Sequence, residues 1–164
     1  TSIGVAVNVV SQATRGQLNY SFGAVANNVV LEIGGSNGTE AFNFAKVSEH
    51  FGKVAADAGK ETFTARCFQC HTSDKGGAIK QGPNLFGVVG RDIGKGGGFT
   101  RFSKALADKG GKWDMASLAA YLYDPKRYIP GNQMSFPGLK DEQELAALLV
   151  YLNGLADAPA PLPK

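Results

Sequence analysis

The chain has 164 residues but only two cysteines and two histidines, and three of those four fall in five consecutive positions, Cys67-Phe68-Gln69-Cys70-His71. Two residues between the cysteines put both sulfurs on one helical turn. There they can form thioethers with the vinyl groups of one heme, and the next residue supplies an imidazole to the iron. Two rival chemistries use a similar spacing. A thioredoxin-like redox pair needs a βαβ context that this Gly/Pro-rich region does not offer, and zinc needs a second Cys or His pair where only His50 remains. A six-coordinate heme iron needs a further ligand, for which Met115, Met134 and His50 are the candidates. Met134 lies in Tyr128-Ile129-Pro130-Gly131-Asn132-Gln133-Met134-Ser135-Phe136-Pro137-Gly138, where proline and glycine block a helix and hold a loop that could lay a thioether against iron. Met115 begins a helix, where methionine ordinarily fills core, and His50 reads as a helix-surface residue.

The elements that must position these groups follow from periodicity. Helices are expected over 54–67, ending in the cysteine motif, over 114–123, stopped by Pro125, and over 141–152. In the last, Leu145, Leu148, Leu149 and Leu152 recur at helical spacing while Asp141, Glu142 and Glu144 suit the positive end of the helix dipole. All seven prolines lie at or beyond Pro83, and fifteen of the 22 glycines at or beyond Gly59, so the connections are long. Residues 1–33 carry only Arg15 and Glu32 as charges, and the alternation over Ile3–Val9 suits a half-buried strand. Thr39 is placed to cap a helix through Phe42, Ala45 and Glu49 to about Phe51. The expected fold class is all-α: a few helices with long loops wrapped around one heme, plus an N-terminal extension, partly β. The division is 1–58 for the extension, 59–155 for the heme domain and 156–164 for a Pro-rich tail, extended and mobile.

Composition excludes several classes. With 43% apolar and 19% charged residues the chain buries a core. Seventeen basic against fourteen acidic residues give a net charge of +3, too small to imply a nucleic-acid partner. No basic face interleaves with Phe99, Phe102 and Tyr128, so they are expected to line a core or cofactor pocket rather than to stack bases. No run approaches the roughly 18 apolar residues of a membrane span, so no transmembrane segment is expected.

Residues 59–152 resemble the class I cytochrome c of the mitochondrial and related bacterial type. The matching pieces, in order, are Gly59-Lys60-x-x-Phe63, Cys67-x-x-Cys70-His71, Gly82-Pro83-Asn84-Leu85, Gly90-Arg91, Gly98-Phe99-Thr100, Trp113, Tyr121-Leu122, Pro125-Lys126-Arg127-Tyr128-Ile129-Pro130-Gly131, Met134 and Tyr151-Leu152. The resemblance implies one covalent heme c with His71 and Met134 as axial iron ligands, and the Pro83 carbonyl holding the imidazole N–H. It implies Trp113, Arg91 and Asn132 near the heme propionates, with Asn132 standing where the mitochondrial pattern has Thr, and Tyr121 near the methionine sulfur. It places Gly59 and Phe63 where the first helix crosses the last near Leu148 and Tyr151. The stretch from Phe99 to Trp113 departs from the pattern, being one residue longer and lacking its polar side chains.

With both axial positions filled, the resemblance implies an electron carrier rather than an enzyme. The soft methionine favours ferrous iron and raises the potential. Arg66, Lys80, Lys126, Arg127 and Lys140 match the basic rim that steers acidic redox partners. That rim is weaker than the mitochondrial one, since Gln133 and Glu61 replace common lysines. The implied partners are redox proteins: a dehydrogenase, a cytochrome bc-type complex, an oxidase or a reaction centre. The alternative is a fixed electron-transfer subunit docked through residues 1–58. Because this kind of heme is attached after export in bacteria, the periplasm is expected, with the mitochondrial intermembrane space second.

Overall fold

The computed structural model describes residues 42–164. The strand expected in residues 1–33 and the Thr39 cap lie outside the described residues. Within them there are six helices, α1 (Phe44–Ser48), α2 (Ala56–Arg66), α3 (Lys104–Lys109), α4 (Met115–Tyr123), α5 (Pro125–Tyr128) and α6 (Glu142–Gly154). No strand forms among them; the nearest approach is a single antiparallel bridge between Asp92 and Lys112.

The frame is the crossing of α2 and α6. A glycine makes it possible: a Cβ on Gly59 would stand 2.0 Å from the Ala147 carbonyl oxygen, so only hydrogen fits between the two backbones. Beside this contact the Phe63 and Tyr151 rings meet at 5.5 Å. The expected leucine stripe is buried, with Leu145, Leu148, Leu149 and Leu152 at most 3% exposed. The N-terminus of α6 is capped by Asp141, whose carboxylate accepts from the Glu144 amide at 2.7 Å. Asp114 caps α4 in the same way through Ser117. Helix α4 is apolar nearly all round and buries Met115, Leu118, Ala119, Ala120, Tyr121 and Leu122, as befits an element enclosed by others.

Pro125 stops α4, as expected, but also opens α5. Proline at the first helical position loses no hydrogen bond, and Asp124 accepts from the Arg127 amide to cap the new turn. The helix expected over 39–51 is shorter, five residues capped by Asn43 rather than Thr39, with the Ala45 amide donating to Asn43 Oδ1 at 2.9 Å. Phe42, Val47 and Phe51 join the buried cluster that contains Phe63 and the leucines of α6. The tail is not free. Asn153 Nδ2 donates to the Ala160 carbonyl at 2.8 Å and Leu162 packs against the core, so residues 155–162 are laid back on the body of the protein.

Candidate functional site

Cys67 is the C-cap residue of α2, and the turn continues past it: the Cys70 and His71 amides donate to the Cys67 carbonyl at 3.0 and 2.9 Å. Both thiols are therefore held on one turn, free of any disulfide and half-buried. Burial pushes the Cys67 thiol up to about 11 against the opposing charge of Arg66, which keeps it protonated at neutral pH.

The imidazole of His71 is oriented from the opposite strand of its loop. Its Nδ1 lies 2.7 Å from the Pro83 carbonyl oxygen. Since a carbonyl only accepts, Nδ1 carries the hydrogen and Nε2 is left with its lone pair. Burial lowers the His71 pKa, the Pro83 bond working against it, so the ring is neutral and able to ligate a metal. Gly82 lies flat against the ring, where a Cβ would be 2.3 Å from His71 Cε1. The Pro83 carbonyl is itself held by a closed loop. Asn84 Nδ2 donates to Thr72 Oγ1 and to the Asp74 carbonyl, both at 2.8 Å, while the Leu85 amide donates to the Thr72 carbonyl.

Arg91 fastens that loop from beneath, donating to the Asn84 and Phe86 carbonyls at 2.8 and 2.5 Å. Partial burial lowers its pKa, yet a guanidinium remains charged, and most of its five N–H donors remain beyond these two bonds. Arg91 is joined in turn to Trp113, whose amide donates to the Arg91 carbonyl at 2.8 Å. From Trp113 an aromatic row runs to Tyr121 at 4.9 Å and on to Tyr128 at 6.5 Å. Burial pushes the Tyr121 hydroxyl up to about 12.

The row ends at the loop carrying Met134. Asn132, 3% exposed, uses its whole side chain on backbone: Nδ2 donates to the Pro125 and Ile129 carbonyls at 2.7 and 2.8 Å, and Oδ1 accepts from the Met134 amide at 3.0 Å. Lys126 Nζ adds a bond to the Asn132 carbonyl at 2.9 Å. Met134 is half-buried at the edge of the core. The other two ligand candidates stand elsewhere: Met115 is 6% exposed inside α4, and His50 lies in the turn after α1.

This donor set fits a covalent heme. Two thiols share one turn, the adjoining imidazole has its outer nitrogen committed to a carbonyl, and a thioether is pinned in a non-helical loop. It does not fit zinc, because among the described residues no three His, Cys, Asp or Glu side chains gather.

Of the five expected rim residues, Lys80 and Lys126 each donate a hydrogen bond to a neutral carbonyl, those of Phe68 and Asn132, and pair with no carboxylate among the described residues. Arg66 and Lys140 are paired instead, with Glu144 at 3.4 Å and Asp124 at 3.2 Å. Arg127 lies on α5 beside Lys126. A sixth basic residue, Arg101, was not expected: its guanidinium donates to the Lys80 carbonyl at 3.0 Å and lies 5.3 Å from the Phe99 ring centroid. Nothing but its charge beside an aromatic cluster marks it in the sequence. Phe68 and Ile79 are large apolar side chains 52% and 42% exposed, and Lys80 Nζ lies 3.6 Å from the Phe68 ring centroid. No helix among the described residues is long and apolar enough to cross a membrane.

A profile of the cytochrome c family matches residues 56–156. A cytochrome c homolog of Bradyrhizobium diazoefficiens is 38% identical over 138 residues, covering 82% of this chain and 75% of its own. Only eight residues follow 156, so most of the extra likeness lies ahead of residue 56. Cytochrome c of Guizotia abyssinica is 46% identical over 98 residues, 60% of this chain and 87% of its own. Among solved structures, cytochrome cH from Methylobacterium extorquens is similar with a TM-score of 0.56 and 39% identity, over 60% of this chain and 97% of its own. The ordered motifs, the helical frame and these likenesses agree: the chain belongs to the cytochrome c family, carriers of electrons on a covalently bound heme c iron.

Proposed function

We propose that this chain is a one-electron shuttle whose heme is bonded through Cys67 and Cys70, with His71 and Met134 on the two faces of the iron. The observation that carries the reading is the commitment of His71 Nδ1–H to the Pro83 carbonyl, which points the free nitrogen away from the loop that holds it. When bound, the heme supplies a ferric/ferrous couple within the polypeptide. The chain's own residues do the rest. Cys67 and Cys70 fix one edge, and Gly82 and Pro83 prevent the imidazole from turning. Asn132 and Lys126 hold Met134 in place and so leave no position open for a substrate. Arg91 and Trp113, joined through backbone, are the pair that would meet the propionates.

Docking falls to Lys80, with Arg101 beside it and the exposed Phe68 under its ammonium, and to Lys126 and Arg127 on α5. Such a rim favours brief, salt-sensitive encounters with acidic respiratory or photosynthetic redox proteins in the periplasm. The test is the optical spectrum of the oxidised and reduced protein, followed by electron exchange with an acidic redox protein at increasing ionic strength. Heme c bands, the weak long-wavelength band of methionine on ferric iron and rates that fall with salt are expected. Heme without that band, or rates indifferent to salt, would overturn the ligation or the docking respectively.

A further inference from the structure

The loop carrying Met134 is fastened at both ends to the junction of α4 and α5. On its leading side the bonds are those of Asn132 and Lys126. On its trailing side the Leu139 amide donates to the Leu122 carbonyl at 2.9 Å and Lys140 Nζ to the Tyr123 carbonyl at 2.8 Å. Gly138, at φ +107°, passes so close that a Cβ would stand 2.2 Å from that same Tyr123 oxygen. The trailing anchor is thus the last turn of α4, and it is only as steady as Tyr123.

Tyr123 packs at the edge of the core, and among the described residues two groups engage its ring. Lys140 Nζ lies 4.2 Å from its centroid, and the Phe42 ring lies 5.1 Å away, tilted by 48°. Lys140 belongs to the loop being held, so the aromatic support from outside that loop is Phe42, itself 6% exposed. Phe42 enters just ahead of α1, which packs on α4 and α6, and this whole segment precedes the residues that the cytochrome c profile matches.

We propose that Phe42 is a positioning residue for Met134: by bracing Tyr123 it steadies the trailing anchor of the loop and keeps the thioether at the iron. The segment ahead of the heme unit thereby sets how readily the sixth ligand is released. This rests on the ligation by Met134 proposed above. An aromatic contact at a buried site holds a neighbour in one place more firmly than a methyl group can, and a loop whose anchor loosens opens locally before the protein unfolds.

The experiment uses the full heme-loaded chain and three variants. Phe42→Ala removes the brace, and Phe42→Leu keeps a buried apolar group without the ring. Phe44→Ala removes an aromatic of the same segment whose ring contact is with Phe51, at 5.9 Å. In rising urea the long-wavelength methionine band is followed beside the far-ultraviolet helix signal, and exchange of the Leu139 amide hydrogen is followed by NMR. For Phe42→Ala the band should vanish at clearly lower urea than the helix signal, with Leu139 exchanging about tenfold faster. Phe42→Leu should do the same to a smaller extent, and Phe44→Ala should shift both transitions together. Parallel shifts in the Phe42 variants, with Leu139 exchange no faster than in Phe44→Ala, would overturn the proposal. A parent protein with no methionine band would sink the ligation instead, while Leu139 exchange would still report on the brace.

Discussion

Asn132 Oδ1 accepts from the Met134 amide at 3.0 Å, so the side chain two residues ahead of the thioether directs the backbone that carries it. The resemblance places Asn132 near the propionates; within the chain its polar atoms bond Pro125, Ile129 and Met134. Asn132→Ala leaves those buried groups unpaired and should cost about 2–4 kcal/mol, read from urea unfolding, together with a weakened methionine band.

Gly82 sets the other face. A methyl group there would collide with the His71 ring, so Gly82→Ala should displace the imidazole from the Pro83 carbonyl. A loss of about 1–3 kcal/mol is expected, as for overpacking of a filled site. The change should also appear in the heme absorption spectrum, which a purely global destabilisation would leave alone under native conditions.

On the ligation proposed above, Met134→His trades a soft thioether ligand for a harder imidazole. The reduction potential should fall by about a tenth of a volt or more, within the roughly 0.8 V over which axial ligands act. Potentiometric titration checks it; an unchanged potential would mean that residue 134 is not on the iron.

The chemistry was legible in the sequence because it is local. Five consecutive residues carry the cysteine motif, and the helices α4 and α6 announce themselves by leucine spacing and by Asp114 and Asp141 as caps. What escaped is held by contacts with no period. Helix α3 has six residues and buries none of them, so only the Ser103 cap marks it. The tail reads as a free end by composition, yet one amide on Asn153 and one side chain, Leu162, tie it down. The meeting of Phe42 with Tyr123 joins residues far apart in the chain, and no spacing rule anticipates it.

Tyr121 gives a pH signature. Its hydroxyl titrates near 10 in the unfolded chain and at about 12 when folded, because burial disfavours the phenolate. A raised folded pKa contributes stability that is whole below pH 10 and lost as pH climbs toward 12, amounting to about 2–3 kcal/mol. Tyr121→Phe should therefore flatten the fall in stability over that window relative to the parent, measured by urea unfolding at each pH. Equal slopes would show that another group governs it.

The crossing at Gly59 and Ala147 also bears on how firmly the two cysteines are held. Helix α2 has eleven residues, no side-chain cap and a glycine in its interior, so alone in water it is too short and too weak to persist. Its support is its partner, α6, which packs on it across Ala147. The turn that holds Cys67 and Cys70 is therefore only as firm as that packing, and a hydrogen atom in place of a methyl group at residue 59 is what lets the packing form.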